Sequence, residues 1–140
     1  MVNRADSLSP LQKREVLYSD FASSFKPHPV TKELIRLTDE DSVKQAIKNI
    51  VLTAIGERLF NPFVGSNVYR SLFEPASPFF AEDMLRYINS SIRQFETRVE
   101  ILQVLPVVSA DNNTVTLNIN FSVINKPELV SFSFLLKRVR

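Results

Sequence analysis

The chain has 140 residues, 44% of them hydrophobic, enough for one domain whose single core buries roughly two thirds of the unfolded-state surface. Seventeen basic residues against 15 acidic ones leave a formal net charge of +2, a near balance that argues against a protein devoted to nucleic acid. The absence of cysteine excludes a disulfide framework, a thiolate zinc site and cysteine catalysis, and fits folding in a reducing compartment.

No apolar run approaches the roughly 20 residues needed to span a bilayer, and the first residues, with Arg4, Asp6 and Ser7, lack a signal-peptide core. A soluble protein made in the cytoplasm is expected. Residues 1–38 read as an extended arm: Pro10, Pro27 and Pro29 restrict the backbone, and only Leu11 to Leu17 could form a short helix. The sole imidazole, His28, lies between Pro27 and Pro29, a context for an exposed arm and not for catalysis or metal binding.

The first strong helix begins at Thr38-Asp39-Glu40-Asp41, which offers a capping side chain and favourable first-turn charge. Val43, Ala46, Ile47, Ile50, Val51, Ala54 and Ile55 recur every three or four residues as an apolar stripe, with Lys44, Lys48 and Asn49 facing away. The pattern predicts a helix ending near Ile55, with Gly56 as its C′ residue. Gly56 and Gly65 are the only glycines. Between them a short strand is expected around Arg58 to Phe60, and Gly65-Ser66 reads as a turn.

Asn67 to Phe73 can make about two helical turns, and Ser77-Pro78 can start the next helix. Phe80, Met84, Ile88, Ile92, Phe95 and Val99 mark its core face; Glu82, Arg86, Asn89, Ser90 and Arg93 mark its wet back, with Glu82 and Arg86 spaced for an i,i+4 pair. The period then falls to two. Glu100 to Val108, Thr114 to Ile124 and Leu129 to Leu136 read as strands, separated by turns at Ala110 to Asn113 and at Asn125-Lys126-Pro127-Glu128. In the second strand Val115, Leu117, Ile119, Phe121 and Val123 alternate with polar residues, predicting one buried face.

The fold class is therefore α+β: helices packed on a three-stranded antiparallel C-terminal sheet, with an extended N-terminal arm over 1–38 and a single domain over 39–140. The last strand falls at a sheet edge, and Val130 to Leu136 contains no charge, proline or obvious bulge. It suits either a plain strand or a docking edge. The basic cluster Lys137-Arg138-Arg140 suits a solvated tail or contact with an acidic surface.

An enzyme needs convergent polar groups in a cleft, and the chain offers no metal-ligand cluster, phosphate loop, nucleophile elbow or histidine pair. Glu57, Glu74 and Glu96 remain as candidates for a glycosidase-type carboxylate pair, although nothing in their spacing supports one. As structural groups, Glu57, Arg58 and Glu74 can cap helix ends or pair with one another.

Several segments, in order and spacing, resemble a known family: Tyr18-Ser19-Asp20-Phe21, Ser42 to Asn49, Gly56 to Ser66, Leu72-Phe73-Glu74, and Phe121 to Ile124 followed by Asn125-Lys126-Pro127. The family is the small baseplate wedge protein, or sheath initiator, of contractile-tailed phages, with relatives in type VI secretion baseplates. The resemblance implies a non-enzymatic structural protein of the virion tail baseplate, assembled in the host cytoplasm, without cofactor or metal. Its implied partners are the core helical bundle of the large wedge proteins, the tail sheath protein and the tail tube, with no nucleic acid and no membrane. Wedge binding falls on Glu96, Arg98, Gly56, Glu57, Arg58 and Glu74; sheath binding falls on Leu129, Val130, Ser131, Phe132, Ser133, Phe134, Leu135 and Leu136. Where the family carries Glu-Pro-Arg after its long helix, this chain has Glu96-Thr97-Arg98, which restores an N–H donor and frees φ. Some members are described as having lysozyme activity, so a peptidoglycan-degrading baseplate enzyme is the alternative.

Overall fold

The computed structural model describes residues 16–73, 79–109, 114–124 and 126–137. In chain order the elements are β1 (Ser19–Phe21), β2 (Arg36–Thr38), α1 (Asp39–Leu52), α2 (Val68–Ser71), α3 (Phe80–Phe95), β3 (Val99–Ser109), β4 (Thr114–Val123) and β5 (Lys126–Lys137). The three long strands form an antiparallel sheet in the order β3-β4-β5, and the helices cover one of its faces. This is the α+β arrangement expected. The residues of the first inter-strand turn, 110–113, Asn125 of the second, the Ser77-Pro78 helix start, and Arg138 and Arg140 lie outside the described residues, while Lys126, Pro127 and Glu128, expected in the second turn, instead begin β5.

Alternation in β4 decides how the layers meet. Val115, Leu117, Ile119, Phe121 and Val123 are all buried, while every residue between them is partly exposed. Against that face α3 sets Met84, Ile88 and Ile92; α1 adds Val43, Ile47 and Val51, and α2 adds Val68 and Leu72. β5 contributes Val130 and Leu136 to the same core, with Phe132 packed edge-on to Phe121 at 5.9 Å between ring centroids. Burying each of these side chains is worth about 1.5–3 kcal/mol, so β5 is an integral strand of the domain.

Within the N-terminal arm, the described part closes into a surface hairpin. β1 and β2 pair antiparallel, with Ser19 opposite Thr38 and Phe21 opposite Arg36, and both remain largely exposed. Gln45 of α1 holds the hairpin, its Nε2 donating to the Phe21 carbonyl and its Oε1 accepting from the Ser23 amide, each at 2.8 Å. His28 has a local structural role: its Nδ1 accepts from the Val30 and Thr31 amides at 3.3 and 3.2 Å.

Four local expectations are corrected. α1 ends at Leu52, not near Ile55, so Gly56 is not its C′ residue; Thr53 is extended, and Ser66 takes over the helix end by donating its Oγ to the Val51 carbonyl at 2.7 Å and its amide to the Thr53 carbonyl at 2.8 Å. Thr38 makes no side-chain cap. The strand expected at Arg58 to Phe60 is a succession of turns, closed by Gly56 N–H to the Pro62 carbonyl at 2.8 Å and Val64 N–H to the Asn61 carbonyl at 3.2 Å. Arg86 pairs with Asp83, one turn back at i,i+3, instead of with Glu82.

Candidate assembly interface

β5 pairs with β4 in unbroken register from Leu129 opposite Ser122 to Lys137 opposite Thr114, and among the described residues nothing pairs with its other side. Alternate residues of an edge strand direct N–H and C=O away from the sheet, so this stretch offers a neighbouring chain a continuous row of donors and acceptors. β3 is the opposite edge, yet it is built differently. Its ladder shifts register between Ile101 and Gln103, and Pro106, mid-strand, has no N–H to offer. One margin is therefore blunted and the other is open over the eight residues singled out in the sequence, Leu129, Val130, Ser131, Phe132, Ser133, Phe134, Leu135 and Leu136.

The root of β5 is fixed by a partly buried ion pair that sequence reasoning missed. Lys126 Nζ lies 2.5 Å from Asp39 Oδ2, across 87 positions of chain, while Asp39 Oδ1 accepts from the amides of Leu17 and Tyr18 at 2.9 and 3.2 Å. Asp39 thus joins the hairpin, α1 and the start of the edge strand. It also adopts φ +46, a left-handed conformation that aspartate tolerates better than most residues. The hydrogen bond from Lys126, with the Tyr18 and Leu17 amides adding to it, outweighs desolvation and lowers the carboxyl to about 2. In the sequence Asp39 looked only like first-turn charge, and no local pattern could tie it to Lys126.

Glu96 and Arg98 meet each other at the end of α3. Arg98 Nε and Nη2 donate to the two carboxylate oxygens of Glu96 at 2.6 Å each, a bidentate fork, and the Arg98 amide adds a longer bond at 3.3 Å. Glu96 is only 5% exposed. The hydrogen bonds that Arg98 donates to Glu96 push its pKa up from the ordinary value despite desolvation. The guanidinium also sits 5.2 Å from the Tyr18 ring centroid, and the Arg98 carbonyl accepts from the Ile124 amide. The pair therefore braces the helix–strand corner that carries β3, β4 and the hairpin.

The glycine block is a closed loop. Its ends meet where Ala54 bridges Ser66, and Gly65, at φ +140, presses so close to them that an added Cβ would lie 2.6 Å from the Thr53 carbonyl oxygen. Glu57 is occupied internally, its Oε2 accepting from the Ala54 amide at 3.0 Å. Arg58, by contrast, has no ion pair among the described residues, and it faces a groove of about 510 Å³ lined also by Asp20, Asn49, Asn61, Gln94 and Glu96. The fold thus brings Arg58 and Glu96 to one groove; Gly56 and Glu57 frame the adjoining loop, and Glu74 lies outside the described residues. Among the described residues no helix is long and apolar enough to cross a membrane, and no three His, Cys, Asp or Glu side chains cluster as metal ligands.

An open sheet margin, a closed loop, and Glu57, Glu96 and Arg98 spent on internal bonds fit a structural component of a larger protein assembly. Residues 37–128 match the family of Baseplate wedge protein gp25. The chain belongs to that family, and is 33% identical over 112 residues to Baseplate wedge protein gp25 of Enterobacteria phage T4, covering 80% of this chain and 84% of the phage protein. Its fold is similar to a crystal structure from Geobacter sulfurreducens described as a proposed tail lysozyme (TM-score 0.67, 19% identity, 72% of this chain and 92% of that one). It is also similar to a chain of the anti-feeding prophage baseplate (TM-score 0.60, 15% identity, 88% and 87%) and to one of the post-contraction pyocin R2 baseplate (TM-score 0.51, 18% identity, 79% and 96%). The chain is a structural protein of a contractile tail baseplate.

Proposed function

We propose that the chain is a non-enzymatic wedge subunit that binds the large wedge proteins on one side and starts sheath polymerisation on the other, by accepting a strand of the tail sheath protein along β5. It works in the virion tail baseplate, in copies whose ring symmetry comes from its partners and the tail tube. The observation that carries the sheath role is the contrast between the two margins of one sheet: β3 is interrupted mid-strand by Pro106 as well as by its register shift, whereas the register shift and Pro127 of β5 both fall before Leu129 and leave Leu129 to Lys137 unbroken. Strand addition needs such an edge.

The wedge side is the groove and loop around Arg58, Asn61 and Glu96. The lysozyme alternative is disfavoured by geometry, because a general acid must be free to give its proton, and both oxygens of Glu96 are held by Arg98. Glu57 is likewise committed to the Ala54 amide.

Deleting β5 would strip Val130 and Leu136 from the core, so the test is substitution on the edge. Ser131→Pro and Ser133→Pro remove successive amides of one hydrogen-bonding side, and Leu129→Lys with Leu135→Lys charges the exposed side chains beside it. Variants that keep the parent melting temperature should assemble baseplates without sheath. Normal sheath polymerisation from the Lys variant would reject the proposal.

A further inference from the structure

We infer that Leu59, Phe60 and Phe63 form a rigid apolar knob that enters a pocket, rimmed by acidic groups, on a baseplate protein of different sequence. The inference rests on the wedge-binding reading above and names the side chains that carry it. Ile55, Leu59, Phe60 and Phe63 are 51, 82, 105 and 76% exposed, all within one loop. These four large side chains, exposed on one short loop, offer on the order of 500 Å² of apolar surface between them, the scale of the apolar area that marks interaction sites on single proteins.

The loop is also held in place, which separates a binding element from a merely floppy one. Its ends are joined by Ser66 N–H to the Thr53 carbonyl, and its interior by Gly56 N–H to Pro62, Val64 N–H to Asn61 and Glu57 N–H to Ala54. Phe60 sits at φ +67, a conformation disfavoured for a bulky residue, and this unfavourable backbone presents its ring wholly to solvent. Because the closed loop already fixes the backbone that carries the ring, docking has little further main-chain freedom to remove.

Charge selects among occupants. Glu57 is bonded to Ala54, which leaves Arg58 as the loop's charge without an ion pair among the described residues, suited to an acidic rim. A second copy of this chain would bring Arg58 against Arg58 across a two-fold contact. A membrane surface would ask for several cations, and the loop has one, beside an acidic residue.

The test measures affinity for the large wedge proteins of the same tail, purified as a complex. Phe60→Ala with Phe63→Ala should weaken binding by about 30-fold or more, while the melting temperature stays at the parent value because both rings are exposed. Arg58→Glu should weaken binding and flatten its salt dependence. The Leu129→Lys, Leu135→Lys variant should bind the wedge complex normally, so failure of the sheath edge and failure of the knob read out separately. Unchanged affinity in the double alanine variant would overturn the inference while sparing the wedge-binding reading; absence of binding by the parent chain would overturn both. Self-association that disappears with Phe60→Ala, or binding to vesicles of phosphatidylglycerol and phosphatidylcholine that does so, would reassign the knob and refute the stated partner.

Discussion

Replacing Gly65 by alanine tests the idea that the loop is a built structure. At φ +140 an L-residue is strained, at about 1–3 kcal/mol. The new methyl would also lie 2.6 Å from the Thr53 carbonyl oxygen and 3.1 Å from the Ala54 carbonyl carbon and oxygen. Those are backbone atoms at the end of α1, which cannot swing aside, and overpacking of this kind adds about 1–3 kcal/mol. Gly65→Ala should therefore lose about 2–6 kcal/mol, a large share of the total for a domain of this size, and melt about 6–18 °C lower. Gly56 provides the internal control. Its φ is +93 but an added Cβ meets nothing within 4 Å, so Gly56→Ala should carry only the conformational cost, about 1–2 kcal/mol. Thermal and urea unfolding followed by far-ultraviolet circular dichroism will rank the two. Equal destabilisation, or Gly56→Ala as the worse variant, would refute the reasoning that close approach to α1 is what Gly65 supplies.

Asp39 gives a pH signature: its carboxyl is lowered in the folded state to about 2, so its stabilising effect is complete above the ordinary carboxylate range near pH 4 and is lost as pH falls towards 2. Asp39→Asn should accordingly flatten the decline of the melting temperature between pH 4 and 2, and an unchanged slope would remove Asp39 from the account. Glu96→Gln replaces the ionic fork with neutral bonds and should cost about 1–2 kcal/mol, reduced from the full value of a charged hydrogen bond because Arg98 is partly solvated. The same variant and Glu57→Gln should leave peptidoglycan release at the parent's background level, where a drop would revive the lysozyme alternative.

Periodic segments were legible and closed loops were not. The two-residue period of β4 and the three-to-four-residue period of α3 are each enforced by one buried face, so Leu117, Ile119, Phe121, Met84, Ile88 and Ile92 could be assigned to the core from spacing alone. The edge position of Leu129 to Leu136 followed from its place in a meander, but the blunting of β3 needed the observed register, because Pro106 acquires meaning only once its strand is known to lie on a margin. Gly65 has the positive φ and close approach expected of it, although the turn itself lies just before, at Asn61 to Val64, and Gly65 leads into the Ala54–Ser66 bridge. Gly56 does not cap α1, because the α1 stripe continues in sequence through Ala54 and Ile55 and the signal that ends the helix is Ser66, 13 residues beyond Thr53 and tied to it only by tertiary bonds. The Asp39–Lys126 pair escaped for the same reason. Glu96 and Arg98 were found by their place in a motif, but their bond to each other depends on the turn that follows α3, with Thr97 between them.

The central claim is that β5 remains open so that a sheath strand can be added to it. A cryo-electron microscopy reconstruction of the tail before contraction addresses it directly. The account predicts a sheath segment running beside Leu129 to Leu136 at the main-chain separation of paired strands, about 4.8 Å. A reconstruction in which that margin faces solvent, or is covered by a wedge protein while the sheath attaches elsewhere, would contradict it.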